Sequence, residues 1–350
     1  MTDPDHSVTV GVDTHLDTHV AAAFNHLGQP LGHLEIPTTP AGYRRLLGWA
    51  QSLGSAVTFG IEGTGSFGAG LARYLRAAGC TVIEVSRPNR QTRRSRGKSD
   101  PLDAVAAARA VLAGEAAGLA KSDEDRVGMI RSLRIARRSA VKMRTQIANQ
   151  MDALVLTAPT DLRERLRHLS HDALVTLAAG FRPGAVTTPA AATKLALRGL
   201  AERHRLLAAE LDQLDVELRR LTVEAAPALL AIHGVGPDVA GALLLASGDN
   251  PHRLRSEAAF ASLCGVAPLP ASSGKSHRHR LSRSGDRQAN NALWRIVIVR
   301  LAHDPRTRHY VERRTAEGLS RRDIVRCLKR YVAREVFLVL RGRSLAASTP

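Results

Sequence analysis

Aromatic residues are scarce in this 350-residue chain, at 3% of the composition. That shortage argues against stacking of nucleobases on an aromatic platform and leaves phosphate contact as the way to hold nucleic acid. Cysteines are few. Cys80, Cys264 and Cys327 stand far apart without metal-ligand spacing, which excludes a disulfide framework or zinc cluster and leaves them as small buried residues. No apolar run approaches the roughly 18 residues of a membrane span, and Met1 to Ser7 is polar rather than signal-like. No membrane partner is expected, and the cytoplasm is the default location. Negative charge is also in short supply, with 32 Asp and Glu against 50 Lys and Arg, a formal charge of +18. A surplus of that size, clustered along the chain, points to a polyanionic partner. Hydrophobic residues make up 44%, enough to exclude a disordered chain, and the length admits two or three domains.

Val8-Thr9-Val10-Gly11-Val12 reads as a buried strand that delivers Asp13 at its carboxyl end. Extended runs follow at His19–Asn25 and Leu31–Pro37, with Gly28-Gln29-Pro30 as the turn between them. Helical spacing predicts a helix over Gly42–Leu53, and Ala56–Ile61 reads as a fourth strand ending at Glu62. Gly63-Thr64-Gly65-Ser66 is expected to open a helix to about Ala78, followed by a fifth strand at Thr81–Val85. The sum is an α/β domain in which chemistry gathers beyond the carboxyl ends of the strands, where Asp13 and Glu62 both lie.

Next comes a run of cations, Arg87, Arg90, Arg93, Arg94, Arg96 and Lys98, directly before Asp100-Pro101-Leu102-Asp103. The cations suit a nucleic-acid backbone. Pro101 fits the first helical position, so Asp100 is expected as the N-cap with Asp103 in the first turn, both on one face. Capping alone accounts for two acids at that place. Together with Asp13 and Glu62 they would make four converging carboxylates, which repel unless cations bind them, and Mg²⁺ is the hard, oxygen-seeking choice.

Asp123 to about Leu156 is a long helical run. A second, after Pro189, carries Leu200, His204, Leu207, Leu211, Leu214, Leu218 and Leu221 at heptad spacing, the stripe of a coiled coil. Pairing within the chain and dimerisation both satisfy it. Ile232-His233-Gly234-Val235-Gly236-Pro237 has the look of a helix-hairpin-helix turn, although a glycine cap explains it as well. Beyond it lies a Gly-flanked, hydroxyl-bearing loop, Ser272-Ser273-Gly274-Lys275-Ser276, followed by Arg278, Arg280 and Arg283. A hydroxyl among cations suits attack on a phosphodiester, while a flexible turn is the plainer reading. Asn291 to Leu340 is expected to be helical with a strongly basic face. His15, His19 and His303 have no ligand-like spacing and read as structural.

Val10-Gly11-Val12-Asp13, Gly60-Ile61-Glu62-Gly63-Thr64-Gly65 and Lys98-Ser99-Asp100-Pro101-Leu102-Asp103-Ala104 resemble, in order and spacing, the acidic tetrad of DEDD insertion-sequence transposases, relatives of the Piv-type DNA invertases. The loop at Ser273 is similar to the C-terminal transposase domain of the same family, with His277 and His279 as departures. The resemblance implies an RNase H-like, RuvC-type domain over residues 1–120, a helical coiled-coil linker over 121–225 and a mainly α transposase domain over 226–345. It implies metal-ligand roles for Asp13, Glu62, Asp100 and Asp103, with Mg²⁺ as cofactor and Ser273, or its neighbour Ser272, as nucleophile. It further implies the element ends and target DNA as partners, an element-encoded guide or bridge RNA, and assembly of two or four copies. Backbone contact is expected from Arg87, Arg90, Arg93, Arg94, Arg96, Lys98, Lys275, Arg278, Arg280 and Arg283. A metal-dependent junction nuclease, which needs the acids and not the serine, and a non-catalytic nucleic-acid-binding protein are the alternatives. An actin-like kinase also begins with a strand ending in Asp, but the cation run suits a polymer better than one nucleotide.

Overall fold

A computed structural model describes residues 7–85, 100–116, 118–122, 125–271, 279–280 and 285–342, with Asp100 described through its backbone alone. The chain divides into two units, residues 1–124 with 247–255, and residues 125–246 with 256–350.

The first unit is built on strands β1 (Ser7–Thr14), β2 (Thr18–Asn25), β3 (Pro30–Pro37), β4 (Ala56–Glu62) and β5 (Thr81–Val85), in the sheet order β3-β2-β1-β4-β5. The first three form an antiparallel meander, whereas β4 lies parallel to β1 and β5 parallel to β4. Parallel neighbours require crossovers, supplied by helices α1 (Pro40–Leu53) and α2 (Ala69–Ala77). Thr39 caps α1 by accepting from the Gly42 N–H at 3.2 Å, and Pro40 occupies the first turn. Alternation then sorts the strand residues by face. Val8, Val10, Val12, Phe59 and Ile61 pack with Leu46 of α1 and with Leu71 and Leu75 of α2. Val20, Ala22 and Phe24 face the other way, against Ala104 and Ala108 of α3 (Asp100–Leu112).

Two local expectations change. Gly63 to Gly68 is a tight turn rather than the start of α2, because Gly63 has φ +64 and its carbonyl accepts from the N–H groups of both Ser66 (2.8 Å) and Gly68 (3.1 Å). Residues 247–255 belong to this unit, far from it in sequence. Asn250 donates through Nδ2 to the Ala120 carbonyl at 3.0 Å and accepts from the Ser122 N–H at 2.9 Å, while the Asp249 N–H donates to the Ser122 carbonyl at 2.8 Å. The Ala120 and Glu84 N–H groups in turn bond the carbonyls of Val82 and Gly118, so the segment is tied to the β5 edge.

The described part of the second unit is mainly helical. Helices α4 (Arg126–Leu156) and α7 (Pro189–Ala225) lie side by side, with the short α5 (Thr160–Leu166) and α6 (His171–Ala179) between them in sequence. They run antiparallel, since Arg126 bonds Glu224 while Arg137 makes a two-pronged pair with Asp215 at 2.5 and 3.1 Å. The leucine seam is met within the chain: Leu200, Leu211, Leu218 and Leu221 are buried, and Leu200 packs in one cluster with Ile147 and Met151 of α4. Within the chain the stripe thus packs against α4, with His204, Leu207 and Leu214 half-buried.

The remaining helices are α8 (Pro227–Leu230), α9 (Pro237–Ser247), α10 (Glu257–Leu263), α11 (Arg287–His303), α12 (Pro305–Ala316) and α13 (Arg321–Leu340), with a small hairpin of β6 (Leu269–Pro270) and β7 (His279–Arg280). Cys264 is fully buried, and burial together with Asp286 pushes its thiol up to about 12, as expected of a packing residue. No helix among the described residues is long and apolar enough to cross a membrane.

Candidate active site

Two Gly-x-acid pairs lie side by side in the sheet. Gly11 is opposite Gly60 and Val12 opposite Ile61, so Asp13 and Glu62 occupy the next position at the carboxyl ends of adjacent parallel strands. Alternation turns Gly11, Gly60 and both acids toward the face that carries α3. The glycines are there because α3 lies directly on them. A Cβ on Gly11 would stand 2.1 Å from the Ala104 carbonyl oxygen and 2.2 Å from the Ala108 nitrogen, and one on Gly60 would stand 2.6 Å from the Val111 side chain. Close approach of helix to strand brings the rim residues with it.

The direction of α3 follows from its contacts. Arg109 lies over the Phe24 ring at 5.8 Å, opposite Thr9, whereas Ala104 lies over Gly11. The helix therefore starts toward the end of β1 where Asp13 sits, and Asp103, half-buried, is in its first turn.

Asp13 and Glu62 are buried, at 6% and 4% exposure. The Thr14 hydroxyl donates to the Glu62 carbonyl at 2.9 Å and ties the two strand ends together. His15 places Nε2 3.1 Å from Asp13 Oδ2. His15 is thus a rim residue rather than a purely structural one, and the Asp13-Thr14-His15 spacing carries the signal, because at a strand end it puts the first and third residues on one side. His19, by contrast, is a core residue with no exposure, stacked on Tyr43 at 6.0 Å.

Among the described residues no three His, Cys, Asp or Glu side chains converge closely enough to hold one ion. Asp13 and Glu62 are brought together, Asp103 stands on the neighbouring helix, and the carboxyl group of Asp100 lies outside the described residues. The donor set itself fits a hard divalent cation, because two buried carboxylates on one rim supply oxygen ligands only. Arg87, Arg90, Arg93, Arg94, Arg96 and Lys98 lie outside the described residues, as do Ser272, Ser273, Lys275, Arg278 and Arg283. Arg280 is described and exposed on β7.

A mixed sheet with buried acids on the strand-end rim, followed by a helical C-terminal part, is consistent with a DEDD-type transposase. Residues 10–158 match the family described as transposases of the DEDD IS110 type, and residues 226–312 match the "Transposase IS116/IS110/IS902 family". The chain belongs to the IS110 family of insertion-element transposases. It is similar to the "Insertion element IS110 uncharacterized 43.6 kDa protein" of Streptomyces coelicolor, with 32% identity over 162 residues, covering 45% of this chain and 38% of that protein. The aligned part thus spans well under half of that relative's length. Kinship with Piv-type invertases has no support in these matches, and the family they give is a distinct one.

Proposed function

We propose that this protein cuts and rejoins DNA as the transposase of an insertion element. The observation that carries the reading is the pair Gly11-Val12-Asp13 and Gly60-Ile61-Glu62, which sets two buried carboxylates on one sheet rim beneath α3, inside the stretch matched to DEDD transposases. In this reading residues 1–120 are an RNase H-like domain whose Asp13, Glu62, Asp100 and Asp103 hold Mg²⁺. The ion supplies charge neutralisation at the scissile phosphate when bound. In the same reading Ser273, within residues 226–345, supplies the nucleophile.

The chain's own residues then divide the work. Thr14 and His15 hold Glu62 and Asp13 in place, and Arg87, Arg90, Arg93, Arg94, Arg96 and Lys98 grip the strand before the acidic helix. The Ser273 hydroxyl attacks phosphorus: a serine O–P bond forms, the bond from phosphorus to the leaving strand oxygen breaks, the serine proton passes to solvent and the leaving oxygen takes a proton from it. Lys275, Arg278, Arg280 and Arg283 neutralise the charge that develops on the phosphoryl oxygens. The reverse attack, by a second DNA end, rejoins the strands. The cation surplus also suits a guide RNA that reads sequence by pairing while the protein holds backbones. Assembly of two or four copies through the coiled coil belongs to the same reading.

Supercoiled plasmid carrying an element junction, incubated with the protein, co-expressed RNA and Mg²⁺ and then denatured, is expected to yield DNA covalently attached to protein. The adduct should vanish with EDTA, in Asp13→Ala and in Ser273→Ala. Cut DNA without an adduct, unchanged by Ser273→Ala and by Ser272→Ala, would leave a metal-dependent nuclease in place of the serine chemistry.

A further inference from the structure

The second unit holds a cleft of about 880 Å³ between the Gly265–Pro268 turn, β7 and the last helix. Among the described residues that line it, five carry positive charge, Arg280, Arg314, Arg326, Lys329 and Arg330, against one carboxylate, Asp323. Three of the arginines are already matched. Arg326 pairs with Asp323 at 2.8 Å, Arg330 with Glu257, and Arg314 with Glu317. Lys329 differs from them: it is only 8% exposed, and its Nζ donates to a neutral group, Asn290 Oδ1, at 3.0 Å. Among the described residues no carboxylate pairs with it.

A buried ammonium without a counter-charge is costly, and burial followed by the nearby Arg326 lowers its pKa. Such a group is stabilised when an anion fills the space beside it. Its amide partner is anchored too, since Asn290 Nδ2 donates to the carbonyls of Cys264 (2.8 Å) and Gly265 (3.2 Å). These carbonyls form one foot of the chain that leads through β6 to Ser272 and Ser273. The other foot is Gly285, with φ +97, where a Cβ would stand 2.6 Å from the Gly265 nitrogen, and the neighbouring Asp286 N–H bonds the Leu263 carbonyl at 2.6 Å. Lys329 and Asn290 thus join the cleft wall to the base of the serine loop.

We propose that this cleft is the seat for one phosphodiester of the DNA strand, with Lys329 as its buried charge and Asn290 as the residue that fixes Lys329 to the base of the Ser273 loop. The assignment rests on the DNA-rejoining reading above. Lys329 lines the cleft, so a phosphate seated there meets its ammonium at short range, while DNA held elsewhere on the basic surface feels it only weakly.

The test measures binding of the full chain to a fluorescein-labelled DNA duplex across a salt series in EDTA, alongside thermal melting. Lys329→Met is expected to weaken binding roughly tenfold and to reduce the slope of log affinity against log salt by about 0.9, the share of one phosphate contact. It should melt no lower than the parent, since an uncompensated buried charge has been removed. Lys329→Gln, which keeps an N–H donor toward Asn290 while removing the charge, should reduce the slope similarly and decides the matter if Lys329→Met does not fold. An unchanged slope in the folded variants overturns the seat. So does a slope change seen on RNA of the same sequence and not on DNA. Since this binding needs no chemistry, a slope change without any covalent adduct in the parent protein would sink the recombinase reading and keep the seat. An adduct with unchanged slopes would do the reverse.

Discussion

His15 and His19 are four residues apart and have opposite fates. His15 reaches Asp13 at the rim, so His15→Ala is expected to lower the yield of DNA adduct while leaving the fold intact, and unchanged yield would return it to a bystander role. His19 is enclosed against Tyr43; burial, and secondarily the proximity of His15, lowers its pKa from the ordinary value of 6.5. The unfolded chain therefore binds the proton more readily than the folded one. Stability from this residue is complete above about pH 7 and is lost as pH falls below 6.5, at up to about 1.4 kcal/mol per pH unit. Thermal melting from pH 7.5 to 5 should show the first unit loosening on acidification, less steeply in His19→Phe, which keeps the stacking and cannot take a proton. Equal slopes for both proteins would remove His19 from the account.

Helix α3 is the element on which the site depends, and its seat is made of absent side chains. Gly11→Ala would drive a methyl group into the Ala104 and Ala108 backbone, and is expected to cost about 3 kcal/mol, at the upper end for overpacking. Adduct formation should fall further than the stability loss explains, because the acids of α3 shift with it. Gly48, inside α1, has open space where its Cβ would point, so Gly48→Ala should stabilise by about 0.5–1 kcal/mol. Chemical denaturation of the two variants checks the contrast. In the second unit Asp238 ties α9 to Arg134 of α4, itself 5% exposed, and to Arg295 of α11. Burial pushes the Asp238 carboxyl up, but Arg134 and Arg295 outweigh it and hold the carboxyl below its usual 3.8. That stability is present above 3.8 and is lost as pH falls through the lowered value. Asp238→Asn should cost roughly 3–5 kcal/mol by stranding Arg134. The five strands of the first unit, the two long helices and the acids at the strand ends were legible in the sequence because alternation and helical spacing are local properties, whereas the short α5, α6 and the β6–β7 hairpin were not. The docking of residues 247–255 on the first unit was not, because it rests on Asn250 bonding to Ala120 and Ser122. Neither was Lys329, which reads as one more cation in a basic helix until α11 supplies Asn290.

At the scale of the whole molecule the decisive quantity is the +18 surplus. Many of its cations are already matched inside the second unit, among them Arg137 by Asp215, Arg220 by Glu217 and Glu224, and Arg300 by Glu335. Pairs of that kind brace helices and contribute little to holding a polyanion. The excess therefore resides in the segments with few acids, above all the run from Arg87 to Lys98 and the loop from Lys275 to Arg283. If both segments lie along nucleic acid, at least six phosphates lose their counterions, and affinity for DNA should fall by about a thousandfold between 50 and 200 mM salt. Neutralising either segment alone should remove part of the slope, and neutralising both should leave a shallow one. Titration of labelled duplex against the parent and the three variants measures this directly. A slope that survives loss of both segments would move the DNA path onto the paired helices and detach it from the Asp13 rim and the serine loop alike.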